Sequence, residues 1–247
     1  MTLAFAVPAV TDAVRAQLAP TGQLRAGIHL PNTLLVSARD KEGGPEGVSP
    51  DMARAVAAAL GVPCQRVPYA TPGEVADAIA RNEWDIGLIG AEPQRAAIIA
   101  FSPAYAEIEA CYCVRADSNL VSHADIDQPG RRIATTARAA FTLWLERNIH
   151  HATLIPAESL DAARDAFLRG EAQVLASLRT KIEDAKMPGT RMIEPPFMTV
   201  QQAIGCAKAH TEAAQWLDGF VRAACASGFV ADRIRHHGVR GLQAARP

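Results

Sequence analysis

Two hydrophobic periods alternate along the first half of the chain: short apolar runs typical of strands, and longer stretches with apolar residues every three or four positions. Strands are predicted over residues 24–30, 62–69 and 85–89, and helices over 48–60 and 72–81. A loop or hairpin rich in charge and glycine is predicted over 39–47. Because strand and helix alternate, we expect an α/β lobe with a largely parallel sheet.

The second half repeats this order, with strands predicted over 132–136, 152–156 and 173–177 and helices over 139–148 and 159–169. The apolar strands 106–115 and 199–206 are predicted to cross between two lobes, and helices 212–226 and 231–237 to return to the first. We expect lobe 1 to comprise 22–107 plus 205–247, lobe 2 to comprise 108–204, and residues 1–21 to form an N-terminal extension. Two α/β lobes joined by two crossing strands enclose a cleft at the hinge, where ligands bind in such folds.

Capping signals mark the ends of several helices. Thr11 is the predicted N-cap of a short helix over 11–18, and Gly61 the stop of helix 48–60. Ser49, Pro50 and Asp51 are predicted to supply the N-cap, the first-turn proline and an acid near the positive end of the helix dipole.

The candidate chemistry centres on residues 84–95, an apolar run with glycines followed by a polar turn that contains proline. With no side chain at Gly90, a ligand can approach the backbone closely. Arg95 offers a planar fork of donors suited to a carboxylate. The alternative interpretation is a buried strand followed by a surface turn with a solvated arginine.

Charge and hydropathy narrow the class of partner. The chain has 247 residues and a net charge of −1, from 25 basic and 26 acidic residues, so no nucleic-acid groove is predicted. No uninterrupted apolar run approaches the roughly 20 residues needed to span a bilayer. A small molecule or another protein is the expected partner, without membrane insertion.

Neither a metal nor another cofactor is predicted. The five cysteines are odd in number and lack a C-x-x-C pair, so buried free thiols are expected, with Cys111 and Cys113 on one face of a strand. The adjacent pairs 150–151 and 236–237 are interpreted as surface histidines, since neighbouring side chains point to different sides.

The N-terminal residues 1–10 hold a short apolar patch without a basic residue before it. Of the three parts of a secretory signal, only the apolar segment is weakly met. We therefore expect that the sequence encodes no export signal, and that the protein is cytoplasmic if the chain is the full gene product.

Four segments in order resemble a known family: 47–51 (GVSPD), 85–95 (DIGLIGAEPQR), 101–105 (FSPAY) and 168–174 (LRGEAQV). They are similar to the bacterial family 3 extracellular solute-binding proteins, the amino-acid-binding components of ABC transporters, over roughly residues 22–238. The resemblance implies a two-lobed periplasmic-binding-protein-like fold of type II, each lobe a mostly parallel sheet flanked by helices, with two crossing strands as hinge. It also implies a small-molecule ligand, closure around it, a periplasmic location and a transporter permease as partner.

In that family the arginine of the turn binds the ligand's α-carboxylate, and Arg95 falls on that position. Other family positions differ: Leu88, Gly90 and Glu92 replace hydroxyl residues. The glycine–threonine pair that caps the carboxylate falls on residues 138–139, and the aspartate that receives the ligand's amino group falls near Leu178.

These departures bear on the ligand. An ammonium group buried without an opposing carboxylate costs several kcal/mol, so a small carboxylate or an atypical amino-acid-like anion is expected instead of a standard α-amino acid. The expected ligand-binding residues are Arg95, Gly90, Ala91, Glu92, Asn32, Arg138, Ser177, Gln202 and Tyr69. Glu92 has two further interpretations, as the acceptor of a cationic end or as a cap of its turn.

Two other function classes remain open at this point. An enzyme on the same fold, a cyclohexadienyl-dehydratase-like lyase, would use Glu92 as general acid; Cys206 lacks an assignable base and is interpreted as a core thiol. An effector domain of a transcription regulator would need a helix-turn-helix before the first strand, and the 23 residues ahead of Leu24 are too few.

Overall fold

The computed structural model describes residues 3–246, which fold into two compact units. Unit 1 contains the chain up to Glu107 and again from Gln201, and unit 2 is the continuous segment Ile108–Val200. The strands are β1 Leu24–His29, β2 Ala38–Arg39, β3 Pro45–Glu46, β4 Cys64–Tyr69, β5 Ile86–Gly90, β6 Ile99–Arg115, β7 Arg132–Thr136, β8 Thr153–Ala157, β9 Val174–Leu178, β10 Thr190–Ala207 and β11 Leu242–Ala244.

The helices agree with the predicted periodicity in most places. They are α1 Asp12–Leu18, α2 Val48–Leu60, α3 Pro72–Ala78, α4 His123–Ile126, α5 Ala140–Asn148, α6 Leu160–Leu168, α7 Arg179–Asp184, α8 Thr211–Ala226 and α9 Phe229–His236. Two short 3-10 turns cover Ile79–Arg81 and Arg95–Ala97. The helix α7 and the strand β11 were not predicted, and β6 and β10 are longer than expected.

In unit 1 the strands lie in the order β4-β1-β5-β10. β1 is parallel to β4, with His29 opposite Tyr69 at the end of the pairing, and parallel to β5, with Ile28 opposite Leu88. β10 runs antiparallel to β5 and places Gln202 opposite Gly90. The carboxyl ends of β1, β4 and β5 therefore share one edge of this sheet, as the predicted alternation requires.

Unit 2 repeats this arrangement with the strand order β6-β9-β7-β8. β7 is parallel to both β8 and β9, and β6 runs antiparallel to β9 with Cys111 opposite Ser177. Cys111 and Cys113 lie together in the apolar core between this sheet and α6. All five cysteines are free, as predicted, but only Cys111, Cys113 and Cys206 are buried, while Cys64 and Cys225 are partly exposed.

A tryptophan and two glycines fix the packing of α3 on the sheet of unit 1. The Trp84 ring lies against Gly27 and Gly87, where an added Cβ would be 2.8 Å and 3.0 Å from ring atoms. Its indole nitrogen donates to the Val75 carbonyl of α3 at 2.8 Å. Glycine is needed at both strand positions because the ring occupies the space of a side chain.

The predicted range of α2, 48–60, is confirmed, but its predicted N-cap, Ser49, is wrong by two residues. Its N-cap is Gly47 at φ 145°, where an added Cβ would lie 2.3 Å from the Leu35 carbonyl oxygen, so only glycine fits. Ser49 is inside the helix, and its hydroxyl bonds the Tyr105 hydroxyl at 2.7 Å. The caps at Thr11 and Gly61 are confirmed.

One of the histidines interpreted as surface residues is nearly buried. The His237 side chain is 10% exposed, and its Nε2 lies 2.7 Å from Asp51 Oδ2 of α2. Arg54 pairs with the other oxygen of Asp51. The interpretation of His237 as a surface residue is wrong because α9 packs on α2, which the sequence pattern did not show.

Candidate functional site

The carboxyl edge of unit 1 carries a buried cation on the turn that follows β5. The Arg95 side chain is 5% exposed, and its Nη1 donates to the Gly90 carbonyl at 2.6 Å. The Arg95 backbone N–H donates to the Glu92 carbonyl at 2.9 Å. Because Gly90 ends β5, these bonds hold the guanidinium at the end of the strand.

The same turn buries an acid and is fixed to the neighbouring strand. Glu92 is 5% exposed, and its backbone carbonyl also accepts from Ala96 at 3.0 Å. The Ala91 N–H donates to the Gln201 carbonyl of β10 at 2.8 Å. Gln202, the next residue of β10, is buried opposite Gly90. The structure thus brings Gly90, Ala91, Glu92, Arg95 and Gln202 of the predicted set together.

Asn32 and Tyr69, two further predicted residues at this edge, form hydrogen bonds with other residues of unit 1. The Asn32 side-chain oxygen accepts from the Leu34 N–H at 3.3 Å, in the turn after β1. The Tyr69 hydroxyl donates to Glu83 at 2.9 Å, and its ring packs on the cluster around Trp84. Burial and the Glu83 carboxylate both raise the pKa of Tyr69.

Sequence reasoning missed His29, which ends β1 at the same edge. Burial lowers the pKa of His29 to about 4. The positive charge of Arg95 acts in the same direction, whereas a hydrogen bond to the Ala70 backbone and the charge of Glu74 oppose it. His29 is therefore neutral near pH 7. The available signal was a lone histidine just before the strand-ending Pro31.

The remaining two predicted residues belong to unit 2. Arg138 is exposed and adopts φ 58°, between β7 and α5. This left-handed conformation is the one that glycine adopts without strain, and the resemblance placed the family's glycine there. Ser177 is buried in β9 and lines a cavity of about 200 Å³ between α6 and α7.

The carboxyl edge of unit 2 is rich in hydroxyl groups that were not predicted. Thr142 of α5 bonds the Thr135 hydroxyl and the Thr136 carbonyl, both at 2.6 Å. The hydroxyls of Thr136 and Thr180 are buried without a hydrogen-bond partner among residues 3–246. Leu178, at the end of β9, is buried as well. The buried side chains described at this edge are therefore hydroxyl-bearing or apolar, whereas unit 1 buries charged ones.

Neither a metal centre nor a membrane anchor emerges from the part of the chain that the structure describes. Over residues 3–246, no group of three His, Cys, Asp or Glu side chains is arranged to hold a metal ion. In the same residues, no helix has both the length and the apolar character to cross a membrane.

Comparisons with known proteins agree with this architecture. The family described as bacterial extracellular solute-binding proteins, family 3, matches residues 27–237. This confirms the resemblance seen in the four sequence segments. No curated protein matches the chain in sequence.

Solved structures with the same fold share little sequence with the chain. A mutant of ArgBP from T. maritima superposes with a TM-score of 0.72 at 18% identity, covering 92% of this chain and 100% of that one. A binding component of an ABC transporter from Wolinella succinogenes, complexed with lysine, gives 0.70 at 19%, covering 87% and 95%. An ancestral amino acid-binding protein, described as a precursor of cyclohexadienyl dehydratase, gives 0.72 at 19%, covering 91% and 98%. The predicted fold class is confirmed.

Proposed function

We propose that the solute of this protein is a small carboxylate anchored by Arg95. The chain belongs to the bacterial extracellular solute-binding proteins of family 3. The observation that carries this proposal is the burial of the Arg95 guanidinium at the carboxyl edge of unit 1. A guanidinium presents its donors in a plane that matches the two oxygens of a carboxylate. In open α/β sheets, ligands bind outside the carboxyl ends of the strands.

The chemistry of unit 2 supports a solute without an α-ammonium group. By the resemblance, an acid would receive that group near Leu178, and the side chain there is buried and apolar. The carboxylates next to it, Glu109 and Glu194, bind Arg179. An α-ammonium placed there would lack a counter-charge and would be costly to desolvate. A cationic group elsewhere in the solute would be received by Glu92.

The test is a calorimetric titration of the purified protein with matched solutes. The panel contains lactate and succinate without amino groups, 4-aminobutyrate with a distant one, and the α-amino acids alanine, lysine and arginine. Lysine and arginine are included because two solved structures of the same fold are described as complexed with lysine and as arginine-bound. We expect the amino-free acids or 4-aminobutyrate to bind more tightly than the α-amino acids.

The Arg95→Ala variant tests the anchor itself. Loss of one partner of a buried charged pair costs about 2–5 kcal/mol, so the affinity should fall by about 30-fold or more. Arg81→Ala is the matched control, since that arginine is half exposed and pairs with Glu83. Equal binding by the Arg95→Ala protein would contradict the proposal. Tighter binding of the α-amino acids would contradict the solute class, and conversion of a solute, seen by mass spectrometry, would favour the enzyme.

A further inference from the structure

The carboxyl edge of unit 1 holds one titratable ring that the proposed function does not use. His29 is the last residue of β1 and lies opposite Tyr69 of β4. The parallel pairing of Ile28 with Leu88 puts His29 level with Ile89, one residue before the end of β5. His29 therefore lies beside the strand end that carries the turn of Arg95.

The charged and titratable groups around this ring come from three neighbouring elements. Arg95 acts on it from the turn after β5, and Glu74 from α3. Glu92 shares the turn of Arg95. Tyr69 is the neighbour on β4, with its hydroxyl bonded to Glu83. Of these groups, Arg95 is the nearby cation, and its charge opposes a proton on His29.

We propose that His29 is a second contact for the carboxylate held by Arg95, and that its ring takes up a proton as the anion binds. This inference rests on the proposed function. An anion at Arg95 offsets the charge that repels a proton from His29 and adds an attraction for that proton, and both effects favour the imidazolium. By linkage, the proton must then strengthen anion binding by the same factor.

The direction of the pH effect follows from the two states of His29. In the protein without ligand the pKa of His29 is lowered to about 4, and in the complex it is higher. Between these two values one proton is taken up per anion bound. The affinity therefore rises as the pH falls, by up to about tenfold per pH unit, and levels off outside this window.

The test uses acetate as the probe, since it is a small carboxylate that carries no other functional group. His29 ring signals are followed by NMR from about pH 8 down to about pH 4, so that the range reaches the lowered pKa, in acetate and in chloride at equal ionic strength, with His29→Gln to assign the signal among the seven histidines. We expect the pKa of His29 to be higher in acetate by about one unit or more. Calorimetry of the unmodified protein in two buffers of different ionisation enthalpy should show proton uptake.

The variants separate this inference from the proposed function. His29→Gln should remove the rise in acetate affinity at low pH, whereas His150→Gln, an exposed histidine of unit 2, should keep it. If acetate perturbs the Arg95 signals but leaves the titration of His29 unchanged, proton uptake by His29 is refuted and the anchor stands. If acetate perturbs neither residue, both proposals fail.

Discussion

The two units share a strand topology but differ in the polar groups at their carboxyl edges. Unit 1 buries Glu92 and Arg95 there and holds the neutral, half-buried His29, whereas the edge of unit 2 holds the hydroxyls of Thr136 and Thr180 and the apolar Leu178. The topology decides where strand ends meet, and the side chains decide which charges they can bind. The difference teaches that charged groups are buried at the edge of unit 1, whereas at the edge of unit 2 Arg138 is exposed and Arg179 is paired with Glu109 and Glu194.

The interiors show the same contrast. In unit 1, Asp85 accepts from the Arg25 backbone and guanidinium in the sheet. In unit 2, the comparable buried network joins the neutral hydroxyls of Thr135 and Thr142. We therefore expect the buried charge pair of unit 1 to contribute more to the free energy of unfolding than the hydroxyl network of unit 2.

The largest effect is expected for Asp85→Ala. The Asp85 side chain is 2% exposed and lies 2.7 Å from Arg25, so its removal leaves Arg25 without its counter-ion and should lower the free energy of unfolding by about 3–5 kcal/mol. Urea denaturation followed by Trp84 and Trp216 fluorescence, in a Trp144→Phe background, reports on unit 1. Asp218→Ala is the control, because its pair with Arg222 in unit 1 is exposed and should contribute less than about 1 kcal/mol. Equal losses of unfolding free energy in both variants would show that the buried pair contributes no more to stability than the exposed one.

A smaller loss is expected for Thr142→Val in unit 2. The change removes the partner of the buried Thr135 hydroxyl and one of two donors to the Thr136 carbonyl, which keeps its bond from the Ala139 N–H, at a cost of about 1–3 kcal/mol. The measurement is urea denaturation followed by Trp144. Adding Thr135→Val should recover part of the loss, since both hydroxyls are then gone; a further loss in the double variant would argue against the network.

The smallest effect is a gain in stability from Arg138→Gly. Because Arg138 has φ 58°, glycine should relieve backbone strain and raise the free energy of unfolding by about 1 kcal/mol. Asn82→Gly in unit 1 is the matched change at φ 53°. It should bring no gain, because the Asn82 side-chain oxygen accepts a hydrogen bond from Arg25 that glycine cannot make. A lower melting temperature for Arg138→Gly would show that the side chain contributes more than the strain costs.

Much of the fold could be predicted because its signals are local. The period of apolar residues gave most strands and helices, and Thr11 and Gly61 marked helix ends by their own chemistry. The helix α7 has only six residues and β11 only three, too few for a period to emerge. The range of α2 was predicted correctly but its N-cap was not, because the requirement for Gly47 comes from the close approach of the Leu35 backbone, which no local pattern records.

The candidate site was predictable only in part, for the same reason. Arg95 stands in a recognisable turn, so its chemistry could be inferred from neighbouring residues. The state of His29 depends on burial and on the field of Arg95, which comes from far along the chain. Likewise, the bond between Tyr69 and Glu83 depends on how α3 packs on the sheet.

The division of the chain also sets an order of assembly on the ribosome. Unit 2 is continuous from Ile108 to Val200, so its whole sequence can fold as soon as it has left the ribosome. Unit 1 needs Gln202–Gly205 of β10 to cover the edge of β5, and these residues are made roughly a hundred positions after β5. During that interval β5 is an open strand edge of the kind that aggregates or recruits chaperones. The pairing of β5, the strand that bears the turn of Arg95, is thus among the last to be completed during synthesis.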